Sequence, residues 1–261
     1  METKKDVMVL KASNGTVEGV VDFVAVEQPV TLFVNGTQIV TLLCTPSELR
    51  ELAVGFLLSE GILTTSASLT ELTVNESDST VKIELSNLPA HFNTLMSKRT
   101  ISSGCGKGIT FANVMGSEFQ RIPVQQDMVT LEDVTKMLSV FRTISKLYLE
   151  TGGVHSAALA NNKELVFFSE DIGRHNAVDK LIGKAFLQSI PVQNHLLITS
   201  GRVTSEIMNK AGRNRFPILI SRAAPSCMAI DYAEDMGITL VGFARGDRMN
   251  IYTWPKRIKM T

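Results

Sequence analysis

The sequence predicts a mixed α/β chain, α+β overall, in which a smaller β-rich unit precedes a three-layer α/β unit. Two observations lead there. In residues 1–97, β-branched runs flank turn residues, and a single helical pattern interrupts them. From residue 129 onward, helical and strand patterns follow one another as α-β-β-α-β-α-β-α-β, an order that implies parallel pairing with helices on both faces of a sheet. The 261 residues are 44% hydrophobic, enough for two cores. Residues 98–128 lose periodicity and read as a linker, leaving 129–261 as the second unit.

In chain order, "VDFVAVEQP" alternates, and "VTLFV-NG-TQIVTLLC" places Asn35-Gly36 between two β-branched runs, the strongest short hairpin signal. Cys44 closes that strand in an apolar run and reads as a buried structural thiol. In "TPSELRELAVGFLLSEG", Thr45 is placed to cap a helix with Pro46 at its first position and Glu48 completing a capping box, and Gly61 to end it. "LTELTVNESDSTVKIELSN" reads as a second hairpin. "TLEDVTKMLSVFRTISKLYLETGG" reads as one helix, capped by Thr130, with Leu131, Val134, Leu138, Phe141 and Tyr148 near one face and Gly152-Gly153 as its stop. "VHSAALA-NN-KELVFFSED" is a hairpin. Helices in "RHNAVDKLIGKAFLQSI", "TSEIMNKAGRNR" and "SCMAIDYAEDMG" then alternate with strands in "HLLITS", "FPILIS" and "ITLVGFA".

Formal net charge is +0 and the isoelectric point is about 6.9, against the basic face of a general nucleic-acid binder. The start, METKKDVMVL, lacks the apolar segment of a signal peptide, and no apolar run reaches the length of a membrane span. Cys44, Cys105 and Cys227 lie far apart with no Cys-x-x-Cys pair, which fits a reducing compartment. The Asn-x-Ser/Thr triplets at Asn14, Asn35 and Asn75 are then turn chemistry or chance. The expectation is a cytoplasmic protein.

The three late strands end alike: one at Ser200 before Gly201-Arg202, one at Ser221-Arg222, and one at Phe243-Ala244 before Arg245-Gly246-Asp247-Arg248. Ligands of open α/β sheets bind outside the carboxyl ends of strands. Helix N-termini there favour anions, and arginine offers a planar fork that matches phosphate. Any one of these arginines would serve equally well at a rim ion pair. Three at equivalent positions point to a phosphorylated ligand. In "SEDIGRHNAVDK", His175 stands one turn before Asp179 and would lie beside it on a helix, while the rest reads as a solvated helix start. His155 opens a strand near the same edge.

The α-β-β-α-β order resembles that of cytidine deaminases, but their zinc site needs His-x-Glu and Pro-Cys-x-x-Cys. Here the first reads His155-Ser156-Ala157 and "PSCMAI" holds Cys227 alone, so no zinc is expected, and Cys227 is expected to pack at its helix start. "SSGCGKGIT" also fails the spacing of a phosphate loop. That leaves Cys105, an accessible thiol among glycines and beside Lys107, which would favour the thiolate and hence a persulfide.

"TGGVHSAAL", "EDIGRHNAVDKLIG", "SGRVTSEIMNKAG", "ISRAAPS" and "LVGFARGDRMNIYT" together closely resemble the FdhD family of formate dehydrogenase accessory sulfurtransferases, most densely over residues 151–253. The resemblance implies a cytidine-deaminase-like second unit without zinc and a homodimer. It implies that sulfur is accepted from a cysteine desulfurase as a persulfide on the loop cysteine, here Cys105. The sulfur then passes to the molybdenum of bis-molybdopterin guanine dinucleotide, destined for formate dehydrogenase. The segment from Phe243 to Arg248 matches the family's cofactor-binding stretch, with GDP as the expected analogue. One departure is that family members carry Cys-x-x-Cys in the loop, whereas this chain has Cys105-Gly106-Lys107-Gly108. The alternatives are a chaperone that binds the cofactor without sulfur chemistry and, more weakly, a nucleotide hydrolase.

Overall fold

A computed structural model describes residues 1–90, 92, 99–101, 109–111, 121–124 and 128–260. The chain opens with a hairpin, β1 (Lys4–Ser13) and β2 (Thr16–Ala25), turned by Asn14 and Gly15 at φ 51° and 79°. Next come β3 (Gln28–Val34) and β4 (Thr37–Cys44), turned by Asn35 and Gly36 at φ 47° and 73°, the positive values a type I′ turn needs. With β5 (Leu69–Asn75) and β6 (Thr80–Leu85) they form a sheet in the order β4-β3-β6-β5, in which β3 and β6 run parallel. Helix α1 (Leu49–Ser59) buries Leu52, Phe56 and Leu57 against Val30, Leu32, Val81 and Ile83. The short strands β7 (Arg99–Ile101) and β8 (Ile109–Phe111) pair antiparallel.

The expected capping box does not form. Helix α1 starts at Leu49, after Glu48 at φ 52°, with no side-chain cap. Thr45 is fully buried, and its groups serve the second unit instead: its N–H donates to Asp171 Oδ2 at 3.0 Å and its Oγ1 accepts from the Ile172 N–H at 3.0 Å. Glu48 pairs with Lys184. Partners more than 100 positions away in the chain outcompeted a local cap.

The second unit holds a six-stranded sheet of order β11-β10-β12-β13-β14-β15. Its strands are β10 (His155–Ala160), β11 (Leu165–Asp171), β12 (Leu196–Thr199), β13 (Ile218–Ser221), β14 (Thr239–Arg245) and β15 (Arg248–Ile251). In this sheet β12 pairs in parallel with β13 and β13 with β14, and the other neighbouring pairs are antiparallel. A further short pair joins β9 (Val129–Thr130) to β16 (Ile258–Lys259). Helix α2 (Leu131–Ile144) covers one face, packing Val134, Met137, Leu138 and Phe141 on Ala158, Ile198, Ile220 and Val241. Helices α4 (Arg174–Leu187), α5 (Ser205–Arg213) and α6 (Cys227–Met236) cover the other, over Leu159, Leu197, Leu219 and Leu240. This is a three-layer α/β arrangement.

Where one helix was expected over 131–151, two form. Ser145 is extended, caps α3 (Lys146–Thr151) by accepting from the Tyr148 N–H, and donates to Glu170 on β11. The break turns Tyr148 out of the apolar face and leaves it exposed.

Helices α1 and α4 join the two units at very close range. A Cβ built on Gly55 would lie 1.8 Å from the Asp179 carbonyl oxygen, and one on Gly183 would lie 1.9 Å from that of Glu51. Buried polar groups flank the contact. Lys180 Nζ lies 2.6 Å from Asp171 Oδ2 and donates to the Thr45 carbonyl at 2.9 Å. Lys210 bonds both oxygens of Asp179, at 2.9 and 2.8 Å, and Ser59 Oγ donates to that same carboxylate at 2.7 Å. The charges of α4, expected to be a solvated start, are therefore the joint between the units. His175 and Asp179 do stand one turn apart on α4, but the carboxylate close to the imidazole is another one: His175 Nε2 lies 2.9 Å from Glu206 Oε2.

Candidate functional site

The pairing pattern brings five chain segments to one edge of the sheet. The parallel strands β12, β13 and β14 all end there, at Thr199, Ser221 and Arg245. Since β10 runs antiparallel to β12, its first residue, His155, lies at the same edge, opposite Asp171 at the end of β11. A cavity of about 420 Å³ opens here, lined among others by His155, Ser200, Arg222 and Arg245, all sequence candidates, and by Arg142 and Tyr148. That size is ordinary for a small-molecule site, about 300–1,000 Å³.

Local structure sets each side chain. Ser200 Oγ accepts the Ser156 N–H at 2.9 Å and lies 3.3 Å from His155 Nδ1. Ser221 is fully buried and is a brace rather than a lining residue: its Oγ donates to the Gly201 carbonyl at 2.7 Å and accepts the Ala223 N–H at 2.9 Å, fixing the loops after β12 and β13 to each other. Arg245 Nε donates to the Arg222 carbonyl at 3.2 Å, so the two guanidinium-bearing segments are tied together. Strand β14 bulges between Gly242 and Arg245, with Phe243 at φ 51° and its N–H given to Ala223. Bulges re-aim side chains next to functional sites. Phe243 is exposed and Ala244 buried. Gly246 and Asp247 form the two-residue turn to β15, with Gly246 at φ 62°, and Asp247, Arg248 and Arg202 are exposed.

Burial pushes the His155 imidazole below its ordinary value. The guanidinium groups of Arg174 and Arg202 and the neighbouring His175 push the same way, while Asp171 opposes them. The cavity thus presents arginines beside a neutral imidazole, an arrangement suited to an anion with several acceptor oxygens.

Among the described residues, no cluster of three or more His, Cys, Asp or Glu side chains is placed to hold a metal ion. Cys227 is exposed at the start of α6, not packed there as expected. Cys44 is buried, and its thiol is pushed up to about 12, chiefly by burial and then by Asp171. Cys105 lies outside the described residues. Arg142 was missed because it sits on the polar side of an amphipathic helix, where nothing separates a ligand contact from a solvated charge. Gly152 and Gly153 border the cavity but carried only the signal of a helix stop.

The sheet and its edge define a three-layer α/β protein with an arginine-lined cavity at the strand ends. Comparison with known proteins narrows this class. The FdhD/NarQ family model matches residues 25–259, and the chain belongs to that family. It is 37% identical over 255 residues to the protein named sulfur carrier protein FdhD of Bacillus subtilis (strain 168), covering 96% of each chain. It is equally similar, at 37% over 248 residues and 94% of each chain, to the protein of that name in Listeria monocytogenes. The crystal structure of a Desulfotalea psychrophila protein, titled as a formate dehydrogenase accessory protein, superposes with a TM-score of 0.81 at 26% identity, over 99% of this chain and 100% of that one.

Proposed function

We propose that this protein carries sulfur for the maturation of formate dehydrogenase. Sulfur arrives from a cysteine desulfurase as a persulfide on Cys105 and passes to the molybdenum of bis-molybdopterin guanine dinucleotide, which is cargo here, before that cofactor enters formate dehydrogenase. The observation that carries the reading is the cavity where Arg142, Arg222 and Arg245 meet His155 and Ser200 at the strand ends. Its volume matches one nucleotide end of such a dinucleotide, and its cations match a diphosphate. The hydrogen bond from Arg245 Nε to the Arg222 carbonyl and the brace from Ser221 hold these two segments in place before a ligand arrives. The relatives' name, sulfur carrier, supports the transfer step.

In this scheme the thiolate of Cys105 attacks the outer sulfur of the desulfurase persulfide. A new S–S bond forms and the donor leaves as its own thiolate; at the cofactor that S–S bond breaks, Cys105 leaves as thiolate, and the reduced acceptor supplies the electron pair that binds the sulfur. The protein works as a homodimer in the cytoplasm, and among the described residues no helix is long and apolar enough to cross a membrane. Complementation tests the scheme. In a strain lacking its own copy, Cys105→Ala should restore no formate dehydrogenase activity although the variant still binds GDP. Restoration by Cys105→Ala would favour a chaperone that binds the cofactor without moving sulfur.

A further inference from the structure

We propose that His155 is a proton-linked anion contact: its imidazole takes a proton from solvent as a diphosphate ester enters the cavity and returns it on release. The proposal rests on the reading of the cavity as a nucleotide site. His155 lines the same cavity as Arg142 from α2, Arg222 after β13 and Arg245 on β14. Two further guanidinium groups act on the ring, Arg174 at the start of α4 and Arg202 after β12, with His175 also close by. The carboxylate among its neighbours, Asp171, is engaged elsewhere, 2.6 Å from Lys180 and bonded to the Gly173 N–H and Asn176 Nδ2. With no anion present, desolvation and surrounding cations keep the ring neutral. A diphosphate brings negative charge among those cations and reverses the field at the ring, which favours imidazolium.

The hydrogen bonding accommodates both states. Ser200 Oγ already accepts from the Ser156 N–H, so its own hydrogen is free to point at His155 Nδ1, 3.3 Å away, which leaves the neutral ring protonated on Nε2. When Nδ1 gains a proton, the hydroxyl rotates and its second lone pair accepts. Ser200 is a positioning residue that keeps a partner for the ring through the change. Glu206, 2.9 Å from His175, gives that second histidine a partner outside the cavity, so the exchange belongs to His155.

The consequence is that nucleotide affinity rises as pH falls from the bound to the free value of His155, by at most about ten-fold per pH unit. Calorimetry with GDP-mannose tests this, because its phosphates are both esterified and do not titrate near neutrality. Binding is measured in buffers of different ionisation enthalpy from about pH 5.5 to about pH 8, the range in which histidine titrates. The wild type should take up as much as one proton per nucleotide. His195→Gln should match it, because that ring lies outside the cavity lining with its Nδ1 2.8 Å from the Pro191 carbonyl, and His155→Gln should bind with no uptake and a flat pH profile. NMR of histidine-labelled wild-type protein provides a readout that needs no variant: one imidazole titration should move to higher pH on adding the nucleotide. Binding without proton uptake, or uptake that survives His155→Gln, overturns the proposal and leaves the nucleotide site standing. Absence of binding at every pH overturns the site and the proposal together.

Discussion

Arg222 and Arg245 reach the cavity from neighbouring strand ends, and each should contribute a separable share of ligand affinity. One charge-assisted hydrogen bond is worth about 1.5–3 kcal/mol, so Arg222→Ala and Arg245→Ala should each weaken GDP binding by roughly ten-fold or more in calorimetry. Unchanged affinity in both would place the nucleotide elsewhere. His155 also links stability to pH. The folded protein holds this residue less protonated than the unfolded chain does, because burial lowers it from 6.5. Its share of stability is therefore complete above that unfolded value and is lost as pH falls through the depressed folded one. Urea midpoints of the wild type should drop between about pH 7.5 and about pH 5.5 more than those of His155→Gln. The thiols differ as sharply. Iodoacetamide on the native protein should label exposed Cys227 and spare Cys44, which mass spectrometry reads directly and which labelling of native Cys44 would refute.

At the scale of elements, the crossing of α1 and α4 depends on two missing side chains. Gly55→Ala or Gly183→Ala forces a Cβ into a backbone carbonyl, so the helices must separate. Over-packing of this kind costs about 1–3 kcal/mol, read as a lower urea midpoint. Alanine at Gly36, whose virtual Cβ meets nothing within 4 Å, disturbs only its positive φ and leaves the crossing intact. Elements that obey local rules were legible from the residues: the Asn35-Gly36 hairpin, the Thr130 cap that accepts from the Asp133 N–H, and the buried runs that became β12, β13 and β14. The β1–β2 hairpin carried the same Asn-Gly signal at Asn14-Gly15, but Met8 and Leu10 stay 70% and 79% exposed, so no burial pattern marked the strands. The false capping box and the break at Ser145 share a cause. Asp171 and Glu170 on β11 claim Thr45 and Ser145, and contacts so distant in sequence leave no trace in local periodicity.

The whole molecule is held together by charge as well as by apolar packing. Asp179 and Lys180 looked like part of a solvated helix start in sequence, yet they and Lys210 are nearly or fully buried. A lone lysine on a helix is normally exposed, and the buried partners of Lys180, Asp171 in its own unit and the Thr45 carbonyl across the interface, explain its burial. Lys180→Met leaves Asp171 buried without its cation and should cost about 3–5 kcal/mol in urea unfolding. Pairing it with Asp171→Leu should recover part of that loss, since two matched apolar groups leave no unpaired charge; no recovery would mean that Asp171 serves Thr45, Gly173 and Asn176 more than Lys180. The candidate site was legible to a comparable degree. The strand-end positions of Arg222 and Arg245 were readable in the sequence, whereas Arg142 reaches the same cavity only through the packing of α2 on the sheet. The proposed function divides the labour between this cavity, for the cofactor, and Cys105, for the sulfur. The most direct test of that division of labour is to incubate the protein with a cysteine desulfurase and ³⁵S-cysteine and map the label by peptide mass spectrometry. Sulfane sulfur on the peptide containing Cys105, lost in Cys105→Ala, is the result predicted. Label that persists unchanged in Cys105→Ala, or that resides on Cys227, would contradict it.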